Sequence, residues 1–203
     1  NFRYNISNSI MSKIETNTIA PSTGTTLTLG ESGDTVAVGS GATANGFGLA
    51  MADQWRLTSN ITSDGSDAFI TSNLERVDTA GQGTLGTGMT ESSGVFTFPS
   101  TGIYNVTSNM VFQCTDHNDT AMCNDIHITI NNSSYTHVAR TQMGQQGDSA
   151  ANVGCVASTL VDVTDVSNVK VKFAYQSVNN NNVIQGGTSE NRTFFTFIRL
   201  GDT

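Results

Sequence analysis

From Trp55 onward, apolar residues recur at every second position rather than every third and fourth. In Tyr104-Asn105-Val106-Thr107-Ser108-Asn109-Met110-Val111-Phe112, residues Tyr104, Val106, Met110 and Phe112 share one face, and Asn105, Thr107 and Asn109 the other. That period of two belongs to a strand with one face on a core. Val169-Lys170-Val171-Lys172-Phe173 repeats it, with the lysines expected toward solvent. Strands are expected at 55–62, 67–77, 94–98, 103–113, 126–130, 134–141, 155–163, 168–176 and 193–200, separated by Gly, Asn, Ser and Thr. Helical periodicity is nearly absent. The chain therefore reads as all-β, with strand number and spacing suited to a jelly-roll sandwich.

Between two of these alternations lies a tight corner, Gly94-Val95-Phe96-Thr97-Phe98-Pro99-Ser100-Thr101-Gly102-Ile103-Tyr104-Asn105-Val106. Pro99 fixes φ and donates no N–H, and Gly102 can take the positive φ that starts the return strand. The pattern formed by Gly94, Phe96, Pro99, Gly102 and Tyr104 resembles the signature of the C1q and tumour-necrosis-factor-like jelly-roll families. The resemblance covers residues 55 to 203 and implies a C1q/TNF-like sandwich that assembles as a homotrimer. The family's Gly-Asp turn before the penultimate strand is replaced here by Val163-Thr164-Asp165-Val166-Ser167-Asn168.

The last strand, Thr193-Phe194-Phe195-Thr196-Phe197-Ile198-Arg199-Leu200, is apolar on both faces: Phe194, Ile198 and Leu200 on one, Phe195 and Phe197 on the other. In a two-layer sandwich one face meets the opposite sheet, so the second implies another subunit. Phe195 and Phe197 are the trimer-interface candidates. In C1q-like domains the C-terminal strand likewise lies near the trimer axis.

The N-terminal part has a different composition. Met11-Ser12-Lys13 reads as an ordinary translation start, so residues 1–10 are expected to be a processed, fragmentary or upstream-translated leader, and residues 1–13 together a leader or flexible tail. Residues 14–53 contain Leu27-Thr28-Leu29-Gly30, Val36-Ala37-Val38-Gly39 and Asn45-Gly46-Phe47-Gly48, short strand-and-turn units spaced by nine. Units this small need stacked neighbours or other chains. This stretch is expected to be a β stalk or anchor, with a Gly/Thr linker as the alternative, and residues 54–203 the jelly-roll head. No Gly-X-Y run precedes Trp55, which argues against a collagen-linked protein. The nonamer stalk, the C1q-like head and the Thr-Phe-Ile-Arg-Leu-Gly-Asp-Thr ending resemble head-bearing structural proteins of marine bacteriophages. That resemblance implies a fibre, spike or capsid appendage located on the virion, docked to other virion proteins through its N-terminal part. The alternatives are a soluble or secreted bacterial C1q-like lectin or adhesin, and a fibre-borne polysaccharide hydrolase.

Charge narrows the partners. Of 203 residues only 13% are charged, and 9 basic against 17 acidic residues give −8, which repels nucleic acid phosphates and anionic membrane surfaces. No run approaches the roughly 18 apolar residues of a membrane helix. The polar, weakly ionic exterior suits host surface glycan or protein contacts, expected at loops 62–68, 79–92, 114–125, 142–153 and 177–191.

Candidate chemistry is sparse. Gly81-Gln82-Gly83-Thr84-Leu85-Gly86 matches G-x-G-x-x-G, but lacks the flanking strand and helix of a dinucleotide site. Cys114, His117 and Cys123 give three soft ligands with no clear fourth, short of a zinc set. Asp116 and Asp119 are weak candidates for Ca²⁺, which some C1q-like heads bind. Cys114 and Cys123 are candidates for a disulfide that leaves Cys155 alone, the alternative being three reduced thiols. A hairpin closing at Asn131-Asn132-Ser133-Ser134 pairs Ile128 with His137 and His127 with Val138, and so turns the two histidines to opposite faces. No nucleophile elbow or marked carboxylate pair supports hydrolysis. The expectation is a protein without catalytic residues or a cofactor.

Overall fold

A computed structural model of the chain describes residues 19–21, 23–36, 40, 48–115, 118–146 and 150–203. The chain divides into two units, residues 1–44 and 45–203. Among the described residues of the first unit there is no strand. The strand expected at 27–30 is not formed, and Leu27, Leu29 and Val36 are exposed. A turn closes where Asp34 N–H donates to the Glu31 carbonyl at 3.0 Å and the Asp34 carboxylate accepts from Glu31 N–H at 2.8 Å. The other two nonamer units fall largely outside the described residues, as do residues 1–13.

The second unit is a two-sheet antiparallel sandwich. Its strands are β1 (Met51–Leu57), β2 (Ile61–Thr62), β3 (Ala68–Phe69), β4 (Leu74–Arg76), β5 (Thr90–Ser92), β6 (Val95–Thr97), β7 (Gly102–Cys114), β8 (Asn118–Thr129), β9 (Thr136–Gln146), β10 (Ala151–Val163), β11 (Lys170–Gln176), β12 (Val183–Ile184) and β13 (Phe194–Gly201). The first sheet runs β4-β1-β13-β7-β10, with β12 and β2 continuing beyond β13 along the far end of β7; the second runs β5-β6-β11-β8-β9, with β3 also on β11. The all-β jelly-roll architecture expected from the alternation is the one observed.

The boundaries shift in instructive ways. β1 begins at Met51, inside the stretch assigned to the stalk, because Met51 and Asp53 are buried partners of the last strand. The span 67–77 is two short strands, broken before Asn73, whose φ of 59° no strand adopts. The loops expected at 114–125 and 142–153 are largely strand: β8 starts at Asn118, β9 runs to Gln146 and β10 starts at Ala151. Lys170 and Lys172 leave the core side as expected, but Lys170 is buried and Lys172 is half-buried. Lys170 is 8% exposed and donates to the Val166 carbonyl at 2.6 Å. Lys172 lies over the rings of Phe69 and Tyr135, 5.1 and 4.5 Å from their centroids.

The core is aromatic at its centre. Phe96 packs against Trp55, Phe173, Phe195 and Phe197 with centroids 5.2 to 5.9 Å apart, and Phe173 stacks on Phe195 at 3.9 Å. One polar bridge crosses it between the sheets: Asn124 on β8 and Ser108 on β7 are both fully buried and hydrogen-bonded to each other.

Candidate functional site

The corner is where its residues place it. Gly94 has φ 78°, and a Cβ there would run into the Ile70 carbonyl oxygen. Gly102 has φ 140°, and a Cβ would sit 2.5 Å from the Gly201 carbonyl. Phe96 and Tyr104 are fully buried, and Pro99 is half-buried between them. The Tyr104 hydroxyl reaches back across the turn to donate to the Ser100 carbonyl at 2.9 Å, which ties the return strand to the corner. These residues build the fold.

Phe195 and Phe197 face the core and not a partner subunit. Both are fully buried in the sandwich of a single protomer, against Phe96 and Phe173, and are therefore unavailable to another subunit. The face that points away from the core carries Phe194, Thr196 and Ile198. Because β7 lies between β13 and β10 in continuous register, this face forms three rows. They are Phe194–Asn109–Val156, Thr196–Thr107–Ser158 and Ile198–Asn105–Leu160. The ends on β10 are uncovered, Val156 being 50% and Leu160 64% exposed, while Phe194 and Ile198 are half-buried and Leu200, further along β13, is 51% exposed. The middle row is a hydroxyl ladder, with Thr107 and Ser158 3.0 Å apart and Gln54 Nε2 donating to Thr196 at 3.0 Å. A strip of uncharged, hydrogen-bonded polar side chains bordered by exposed aliphatic ones can be buried against protein without stranding a charge.

The cysteines and carboxylates of the β7–β8 end also part from expectation. Cys114, Cys123 and Cys155 are free and buried. The Cys114 thiol meets Met122 Sδ at 3.6 Å, so Met122 rather than Cys123 faces it; Cys123, one residue on, turns to the outer face beside Gln142. The Cys114–Cys123 disulfide is thus precluded by strand alternation. Burial, then nearby Asp119, pushes the Cys114 thiol up. Asp119 is itself 2% exposed, and its Oδ2 accepts 2.8 Å hydrogen bonds from Asn179 N–H and Asn182 Nδ2. Its role is to clip β8 to the 179–182 turn. Asp116 and His117 lie outside the described residues. Among the described residues no group of three or more His, Cys, Asp or Glu is arranged to hold a metal ion.

Gly81–Gly86 is a loop that reaches back to β1. Thr84 donates to Asp53 at 3.1 Å, and Leu85 bridges to Ala52. Asp53, 1% exposed, is the hub there. Its carboxylate accepts from Trp55 Nε1 at 3.0 Å, Arg76 Nε at 3.0 Å and Met89 N–H at 2.8 Å, while the Arg76 guanidinium lies 5.0 Å from the Trp55 ring centroid.

The two histidines come together rather than apart. The expected register holds through Ile126↔Ala139, then slips by one across a bulge, so that His127 pairs with His137 and Ile128 with Thr136. Val138 is the extra residue, and a one-residue slip reverses which face a side chain takes. The imidazoles stack with centroids 5.1 Å apart and planes 23° from parallel. Beneath them lies Asp125, fully buried, both oxygens held by the Arg140 fork at 2.7 and 2.6 Å. Burial, then His137, with Arg140 also contributing, pulls His127 below its ordinary value against the opposing pull of Asp125.

No family model matches the chain, and no curated protein matches it. Solved structures do. Murine APRIL at pH 8.5 superposes with a TM-score of 0.53 at 13% identity, covering 74% of this chain and 98% of its own. Murine APRIL at pH 5.0 gives 0.54 at 14% identity over the same shares. The structure of Eiger TNF from S. frugiperda gives 0.49 at 11% identity, covering 76% and 95%. At such identities the likeness is one of fold: this chain carries a TNF-like jelly roll.

Proposed function

We propose that this protein is a non-enzymatic, self-associating display module: a homotrimeric TNF-like head carried on a bacteriophage particle as a fibre, spike or capsid appendage, with its N-terminal part docked to other virion proteins. The observation that carries the assembly is the uncovered face of β13, β7 and β10. There Val156, Leu160 and Leu200 are half exposed or more, in a protein with a full core of its own. A jelly roll of this kind has no need of that strip for folding, so it is available for a second copy. The phage setting is supported by the nonamer stretch and the Thr196-to-Thr203 ending. The outward loops would carry contacts to a host glycan or protein. Light scattering or sedimentation of the purified chain at micromolar concentration tests the assembly, and a monomer refutes it. Mass spectrometry of purified virions from the source tests the location, and absence of the chain from the particle refutes that.

A further inference from the structure

On the outer face of the second sheet, Lys172 of β11, His127 of β8 and His137 of β9 stand in one cross-strand row, directly opposite one another in register. The next row on that face is Ala174, Asp125 and Arg140. Four groups able to carry positive charge therefore share these two rows with one carboxylate. That carboxylate is already committed, since the Arg140 fork occupies both oxygens and Arg140 also donates to Gln176. His137 Nε2 stands 3.5 Å from Asp125 Oδ1 and donates to the Ala139 carbonyl at 3.1 Å. His127 Nε2 is 3.9 Å from Oδ2, buried, and reached by no hydrogen bond.

The surroundings leave a second imidazolium nowhere to discharge. Phe69 covers His127 edge-on at 5.0 Å, and Tyr135, whose phenol burial pushes up, covers Phe69. Asp67, the other carboxylate near Arg140, accepts a hydrogen bond from Ser177 N–H. Neutral rings can stack in this row. Two protonated ones cannot, because like charges set directly opposite on neighbouring strands repel.

We propose that the His127–His137 stack is an acid-released latch on the turn end of the β8–β9 hairpin. With both rings neutral, the stack holds Ile126–Thr129 and Thr136–Val138 together across the bulge. Protonation of both parts the rings, places cations against Lys172 and Arg140, and frees the turn and the start of the edge strand, residues 130–138, from β8, which stays paired with β11 in a closed sandwich. The exposed Ile130 at the tip moves with it.

Amide hydrogen exchange on the whole chain, corrected for intrinsic rates, tests this between about pH 8 and about pH 5. Protection across residues 130–138 is expected to fall at least about tenfold, while β7 keeps its protection. His137→Phe, which retains a ring to stack but takes no proton, is expected to keep the hairpin protected at the lower pH. Equal protection of the wild-type hairpin at both pH values overturns the latch, and so does a loss in His137→Phe as large as in wild type. An NMR titration of the two imidazoles in the unsubstituted protein serves if the variant fails to fold. Two coupled steps are expected, and two rings titrating independently overturn the proposal.

Discussion

Asn124 and Ser108 join the two sheets through the middle of the core. Ser108 Oγ donates to Asn124 Oδ1 at 2.6 Å, and Asn124 Nδ2 donates to the carbonyls of Ser108 at 2.8 Å and Cys155 at 3.1 Å. One amide thereby satisfies a hydroxyl and two backbone acceptors that have no water to turn to. Asn124→Leu fills similar volume but leaves the Ser108 hydroxyl without its partner and takes a hydrogen bond from each of the two carbonyls. It is expected to lower unfolding free energy by about 2–4 kcal/mol, with Ser108→Ala costing about 1 kcal/mol. Urea denaturation of the two single variants and the double one checks this. Coupling near zero between the sites would show that the bridge is not the source.

That bridge also explains what the sequence hid. The alternation of Tyr104 to Phe112 and the corner at Pro99 are local, so β6, β7 and their core face can be read directly. β8 before Ile126 cannot, because Asp119, Asn124 and Asp125 are polar residues in buried places, where only partners from β7, β9 and the 179–182 turn make them tolerable. The last strand shows a different limit. Both its faces are apolar, and the choice of Phe195 and Phe197 for the core is made by Phe96 and Phe173 on the other sheet, far off in the chain. The histidine pairing depends on the bulge at Val138, which no local pattern announces.

Gly94 is fixed by conformation and by space together. With φ at 78° and the Ile70 carbonyl against its missing side chain, Gly94→Ala is expected to cost at least about 2 kcal/mol. Thermal unfolding followed by circular dichroism reads the loss. A variant as stable as wild type would show that the Ile70 segment yields.

The three thiols should be silent in the folded chain. Burial pushes Cys155 up, as it does Cys114, and a thiolate is the reactive form. At neutral pH a thiol-specific alkylating reagent is expected to modify none of them before unfolding and all three in denaturant without reductant. Modification of only Cys155 in denaturant would restore the Cys114–Cys123 disulfide.

His127 gives stability an acid-side slope. Its value in the folded chain lies below the ordinary 6.5, so as pH falls the unfolded chain takes up the proton first. This contribution is therefore whole above about 6.5, declines between there and the folded value, and is level below it. His127→Phe is expected to flatten that part of a stability profile measured by urea denaturation between about pH 8 and pH 5. An unchanged slope would assign the effect to another group.

The uncovered face of the first sheet makes the most direct prediction about assembly. Leu160 stands at the end of the row it forms with Asn105 and Ile198, is 64% exposed, and its neighbour across β7 belongs to the strand whose other face is core. A glutamate there costs the protomer little, because the carboxylate reaches water. In an assembled face it is an unpaired charge forced out of water, which costs several kcal/mol for each copy. Leu160→Glu is thus expected to fold like wild type by circular dichroism and to sediment as a monomer, whereas Ile130→Glu, a change as drastic on the other sheet's hairpin tip, leaves the assembly intact. If Leu160→Glu remains assembled, another surface joins the copies; if both variants dissociate, the β8–β9 hairpin takes part as well.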